Sequence, residues 1–237
     1  MFEQSFSAKN LRKVYDRENK KGNYLEGRFF PEIEILSKKV KSARQSLYRL
    51  RKKKEKYTKE IYDSRKTSII NILRGRKRLR DEEINKHLDL VSQKIANKHF
   101  KIGIRIGAHH NGKPTYRIYD STEAYFAEKQ LQQNIKNSFK VKPSDRNTVI
   151  PQIISLLENS FPKVILRTDI KNFYESIEHK SLYDEIFKDN KLSLSSFKKI
   201  KDILNNFSET SGNTKGLPRG IGISAYLSEI YLASLDE

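Results

Sequence analysis

In the stretch "VILRTDIKNFYESIEHKSL" an apolar run from Val164 to Leu166 leads to a single carboxylate, Asp169, and two aromatics, Phe173 and Tyr174, follow closely. An aspartate in such a place is often only a helix cap or a turn residue. The neighbourhood points further. A strand end projects its side chain beyond the sheet, where a hard cation such as Mg2+ can take a carboxylate oxygen together with the next backbone carbonyl. Asp169 and the carbonyl of Ile170 fit that pair. At the turn out of the strand, a flat ring from Phe173 or Tyr174 can form the floor of a pocket for a sugar.

These side chains need elements to hold them. "KVILRTDI" is expected as a strand, followed by a helix from about Glu175, and "SLYDEIFK" and "LSSFKKIKDILNNF" as two further helices. A Gly-rich turn then leads into a helix bearing Ala225, Leu227, Ile230, Tyr231 and Leu235. Upstream, "KIGIRIGAHHNGKPTYRIYD" alternates apolar and polar residues around Asn111-Gly112, a strong two-residue turn signal, and predicts a β-hairpin whose return strand carries Arg117. Adjacent histidines on a loop point in different directions, so His109 and His110 do not read as metal ligands. Helices are expected in "STEAYFAEKQLQQNIKNSF", with Ser121 or Thr122 as cap, and in "RNTVIPQIISLLENSF".

The chain of 237 residues is 36% hydrophobic, enough to bury a core, and carries 48 Lys and Arg against 29 acids for a net charge of +19. Such an excess favours polyanionic partners. From residue 38 to residue 80 there are 18 Lys and Arg and three acids, so about +15 of that charge forms a local arm. Within it Val40, Ala43, Leu47, Leu50, Tyr57 and Ile61 make the stripe of a long amphipathic helix. A partner helix is expected from Asp81 or Glu82 to about Lys98, with Asp81 as N-cap after a break at Gly75 and Ile84, Leu88, Val91 and Ile95 on one face. Such a cluster is either a solvated face or a phosphate-contacting surface, and the density of like charge favours the second, through Lys52, Lys53, Lys54, Arg74, Arg76 and Arg78. No apolar run approaches the roughly 20 residues that span a bilayer, and "MFEQSFSAKN" lacks the pattern of a secretory signal, so a cytoplasmic protein without a membrane partner is expected. The absence of cysteine agrees with a reducing compartment.

Two motifs carry a resemblance. "LRTDIKNFYESI" resembles motif A of reverse transcriptases, and "GLPRGIGISAYLSEIYL" resembles their motif B, in the same order along the chain. The resemblance implies an α+β fold: fingers over 101–160 and a partial palm over 161–237, preceded by a basic helical region over 1–100. It implies that Asp169 is the first metal-binding and catalytic aspartate, that Tyr174 is the steric gate against a ribose 2′-hydroxyl with Phe173 packed under it, and that the turn from Gly216 to Gly220 lies against the nascent base pair. Where the family usually has Gln, this chain has Arg219, whose guanidinium can stack or contact phosphate, so template and nucleotide preference are altered. "KPTYRIY" resembles the fingers hairpin that holds the incoming triphosphate, through Lys113 and Arg117. Arg146 sits where related bacterial enzymes carry a basic residue ahead of motif A. The motif B tail resembles bacterial antiviral, defence-associated enzymes, and the opening "QSFSAKNLRKVYDRENKKGNYLEG" resembles the first polymerase of their type 3 group.

The implied reaction is RNA-directed DNA polymerisation with two Mg2+ ions. The implied partners are an RNA template or structured non-coding RNA, the DNA product, deoxynucleoside triphosphates and a second reverse transcriptase. The family's Tyr-x-Asp-Asp motif is absent from this sequence, so this chain alone is expected to be inactive. The competing expectation is a non-catalytic RNA-binding scaffold derived from such an enzyme.

Overall fold

A computed structural model describes residues 3–110, 112–141, 146–158, 161–166 and 170–233. The chain divides into two compact units, Phe6–Phe100 and Met1–Ser5 with Lys101–Glu237.

The unit Phe6–Phe100 is helical. It contains α1 (Ala8–Lys20), α2 (Leu25–Phe29), α3 (Pro31–Lys52) and α4 (Lys59–Ala96). Pro31 opens α3 at a position whose missing amide has no intrahelical partner to lose. The core gathers Leu11, Val14 and Tyr15 of α1, Ile33 of α3, and Ile84, Leu88, Val91 and Ile95 of α4, all buried. Those last four recur at three- and four-residue steps, which places them on one helix face. The Tyr15 hydroxyl donates to Glu26 at 2.5 Å, and burial first, then this carboxylate, push the phenol up so that it stays protonated.

The expected stripe on α3 exists in Val40, Ala43, Leu47 and Leu50, all buried, but it does not continue to Ile61, which is 47% exposed. After Lys52 the chain turns back, and α4 packs along α3 as an antiparallel hairpin in which Arg76 donates to the Lys39 carbonyl at 2.8 Å. The expected break at Gly75 and new start at Asp81 are corrected by the structure: α4 runs through both without interruption. Gly costs about 1 kcal/mol inside a helix, too little to stop one flanked by Leu, Arg and Lys over 38 residues. Instead of capping, Asp81 accepts from Arg12 at 3.1 Å.

The unit formed by Met1–Ser5 and Lys101–Glu237 is mixed α+β. Strands β1 (Ile104–His110) and β2 (Lys113–Ile118) pair antiparallel across the expected turn, with Ile104 opposite Ile118 and His110 opposite Lys113, and the register shifts between Ile106 and His109. The helices are α5 (Thr122–Phe139), α6 (Arg146–Glu158), α7 (Phe173–Ser176), α8 (His179–Lys188), α9 (Leu194–Ser211) and α10 (Gly222–Leu232). Ser121 caps α5 by accepting from the Ala124 amide at 3.1 Å. α5 is packed by α9 and α10, and α10 also meets α8. Phe126, Leu131, Ile135, Ile203 and Leu227 are fully buried there. The Ile104 amide donates to Asn206 at 2.7 Å and the Tyr116 ring meets Phe207 edge-on at 5.0 Å, so α9 holds the hairpin by both strands.

The expected strand in "KVILRTDI" does not form over its described residues. Residues 162–166 have no regular structure, and Val164, Ile165 and Leu166 are 101%, 70% and 85% exposed. A strand needs a neighbour to take its amides and carbonyls, and among the described residues β1 and β2 pair only with each other. α6, just before this segment, likewise exposes Ile150, Ile153, Ile154 and Leu157.

Candidate functional site

The site begins with two backbone segments laid against each other. The Leu217 amide donates to the Tyr174 carbonyl at 2.8 Å, and the Gly216 amide donates to the Ile177 carbonyl at 2.7 Å. His179 Nε2 donates to the Gly216 carbonyl at 2.7 Å, and the Ser224 hydroxyl to the Pro218 carbonyl at 2.7 Å. Gly216 and Gly220 adopt φ of +97° and +90°, a region that side chains rarely enter. Space is tight as well: a Cβ on Gly216 would stand 3.2 Å from the Tyr174 carbonyl oxygen, and one on Gly220 would stand 3.0 Å from that of Tyr116. The Tyr116 amide donates to the Arg219 carbonyl at 2.6 Å, which joins the turn to the outer edge of β2.

This framework brings three distant segments around one cavity of about 450 Å³, whose lining includes Lys113 and Thr115 of β2, Tyr174 of α7, and Arg219, Gly220 and Ser224. Among the described residues that line it, none is acidic. At its edge stands Glu175, whose carboxylate accepts from Lys113 at 2.9 Å through one oxygen and from Arg219 at 2.9 Å through the other. Lys113 also donates to Asn172 at 2.7 Å. Burial raises the Glu175 carboxyl, but hydrogen bonds from Arg219 and then Lys113 outweigh it and hold the group at about 2. The Arg219 guanidinium lies 5.8 Å from the centre of the Tyr174 ring, and Phe173 meets that ring edge-on at 5.7 Å.

Four of the five expected nucleotide contacts, Lys113, Tyr174, Arg219 and Gly220, therefore meet at one cavity. Arg117 does not line it. It shares the strand face of Lys113 and Thr115 but lies further from the turn, exposed, opposite Arg105. Asp169 lies outside the described residues, Ile170 is 54% exposed, and Arg146 begins α6 with a side chain outside the described set. Glu175 was not among the expected site residues. Its partners are 62 and 44 positions away, so no local pattern marks it.

In the unit Phe6–Phe100, Lys52, Lys53 and Lys54 are exposed at the turn between α3 and α4. Arg74 is exposed on α4, whereas Arg76 is tied to Lys39 and Arg78 to Glu82 at 3.5 Å. Near the turn, Arg49, Lys53 and Arg65 surround a cavity of about 380 Å³ without a carboxylate in its lining, and Arg65 lies 4.6 Å from the Tyr57 ring centre. Among the described residues one group has metal-ligand types, Glu32, Glu83 and His87, with Glu32 exposed and Glu83 paired with Lys86 at 3.2 Å. Surface groups of this kind are common without an ion. No helix among the described residues is long and apolar enough to cross a membrane.

Comparison with protein-family models, with curated proteins and with solved structures finds no match to this chain.

Proposed function

We propose that this chain carries the fingers and first part of the palm of an RNA-directed DNA polymerase from a bacterial antiphage defence system, acting in the cytoplasm. One observation supports this above the rest: Lys113, Tyr174, Arg219 and Gly220 come from three separate segments to one cavity. In the proposed reaction a primer 3′-hydroxyl attacks the α-phosphate of a deoxynucleoside triphosphate, a phosphodiester bond forms, and pyrophosphate leaves. Lys113 and Arg219 hold the phosphates by charge-assisted hydrogen bonds. The Tyr174 ring packs against the sugar and leaves no room for a 2′-hydroxyl. The cations of the lining suit the nucleotide's phosphates. By the resemblance, Asp169 and the Ile170 carbonyl would hold Mg2+, which would offset phosphate charge.

RNA, as template or as a structured non-coding partner, occupies the α3/α4 hairpin, and a second reverse transcriptase is the proposed protein partner. A non-catalytic RNA-binding scaffold is the second reading. It is favoured by the placement of the α3/α4 hairpin, with its dense exposed cations, in a compact unit other than the one that carries the cavity.

Equilibrium binding of dGTP and GTP to the 237-residue chain tests the first reading. The deoxynucleotide should bind more tightly, Tyr174→Ala should erase the difference, and Lys113→Ala should weaken both. Equal binding of the two nucleotides, unaltered by Tyr174→Ala, overturns the sugar gate. RNA binding without nucleotide binding selects the scaffold.

A further inference from the structure

The nucleotide reading leaves one charge without a role. A pocket for a polyanion should not hold an anion of its own, yet the two cations best placed to receive phosphate are both occupied by Glu175. Its two carboxylate oxygens are divided between them, one to Lys113 and one to Arg219, each at 2.9 Å. A phosphate group presents a similar pair of oxygens to the same two donors. Three further features show how the exchange could occur. Glu175 lies on a helix of only four residues, so its side chain is not locked by a long packed element. It is not among the residues that line the cavity, whereas both of its cations are. All three side chains are between 37% and 41% exposed, so solvent can take up the carboxylate when it leaves.

We propose that Glu175 is a built-in placeholder for a phosphate group: it pairs Lys113 with Arg219 while the cavity is empty, and a polyphosphate ligand displaces it. This rests on the nucleotide reading of the cavity and adds a specificity device to it. The displaced anion must be replaced by one that satisfies two donors together and attracts them more strongly than a single carboxylate does. A triphosphate meets that demand. A monovalent anion such as acetate or chloride does not, because it only matches the charge already present. Arg219 serves the device better than glutamine would, since its charge persists at any working pH and its planar fork can pass from a carboxylate to a phosphate without losing geometry.

The alternative role for Glu175 is to position the two cations for the ligand, and it predicts the opposite sign. The experiment is a titration of the 237-residue chain with inorganic tripolyphosphate and separately with dGTP, both with EDTA present so that no metal contributes. Glu175→Gln keeps the side chain's size and removes its charge. If Glu175 is a placeholder, Glu175→Gln should bind tripolyphosphate more tightly than the wild type by roughly three- to tenfold, the scale of two partly exposed ion pairs that no longer compete. dGTP should follow in the same direction. Glu175→Asp keeps the charge but draws it back by one methylene, and it should fall between the two, so the test survives a folding defect in either variant. Equal or weaker binding by both variants, with wild-type binding intact, overturns the placeholder and leaves the nucleotide cavity standing. Failure of all three proteins to bind either ligand overturns both.

Discussion

The amide of Tyr116 donates to the carbonyl of Arg219 at 2.6 Å, so the turn that precedes α10 is fixed to the free edge of β2. This bond sets the distance between Lys113 and Arg219 across the cavity, because each residue lies on one of the two backbones it joins. Gly220 stands directly against it, with φ of +90°, and a Cβ there would crowd the Tyr116 carbonyl oxygen at 3.0 Å. Gly220→Ala should therefore destabilise the protein by about 1–3 kcal/mol and weaken tripolyphosphate binding, as read by chemical denaturation and titration. Unchanged stability would show that the turn accommodates a side chain.

Gly75 predicts the opposite response. It lies inside α4, at negative φ, with nothing within 4 Å of where a Cβ would stand. Gly75→Ala should stabilise the protein by about 0.5–1 kcal/mol, visible as a higher denaturation midpoint. A loss of stability would mean that α4 is kinked or broken at that point.

Glu175 gives a pH dependence whose sign is fixed. Its folded value, about 2, lies below its ordinary value of 4.5, so the folded state favours the charged form. The stabilisation is complete above about pH 4.5 and is lost as pH falls through about 2. Thermal unfolding of wild type and Glu175→Gln should differ most near neutral pH and converge as acid is added through that window. A gap that stays constant down to pH 2 would assign the difference to packing rather than to the ion pairs.

The basic hairpin should bind RNA chiefly through phosphates. Affinity should fall steeply with salt, and reversing Lys52, Lys53 and Lys54 to Glu should weaken binding and make the slope of log K against log salt shallower by about 2–3. These three are among the exposed cations at the turn, whereas Arg76 and Arg78 already have partners on the hairpin itself. An unaltered slope would remove the turn from the interface.

Several local signals in the sequence read true. The hairpin of β1 and β2, the Ser121 cap, and the three- and four-residue stripes of Val40 to Leu50 and Ile84 to Ile95 all describe contacts within a few residues or one helix face. Two local rules failed for physical reasons. Gly75 suggested a break because glycine ends helices, but it does so by a left-handed turn that α4 never makes. Val164 to Leu166 suggested a strand because they are apolar and branched, but composition cannot supply the neighbouring strand that such a segment must bond to. The cavity was legible as a set of residue types through a resemblance. The role of Glu175 was not, since its cations are far away in sequence and only the fold brings them near.

α4 is longer than the core it serves. Its 38 residues extend about 57 Å, yet its buried side chains begin only at Ile84. The stretch before Ile84 packs along α3, with half-buried Ile69, Ile70 and Leu73 as its apolar support and a dense row of like charges along it, and is tied to α1 near its end by the Arg12–Asp81 pair at 3.1 Å. With no fully buried side chain before Ile84, the amides of α4 near the turn should exchange with solvent faster than those around Ile84 to Ile95. A bound polyanion removes the self-repulsion and adds its own binding energy to the closed form alone. Slower hydrogen exchange at the turn on adding RNA would report occupancy of the hairpin by a polyanion.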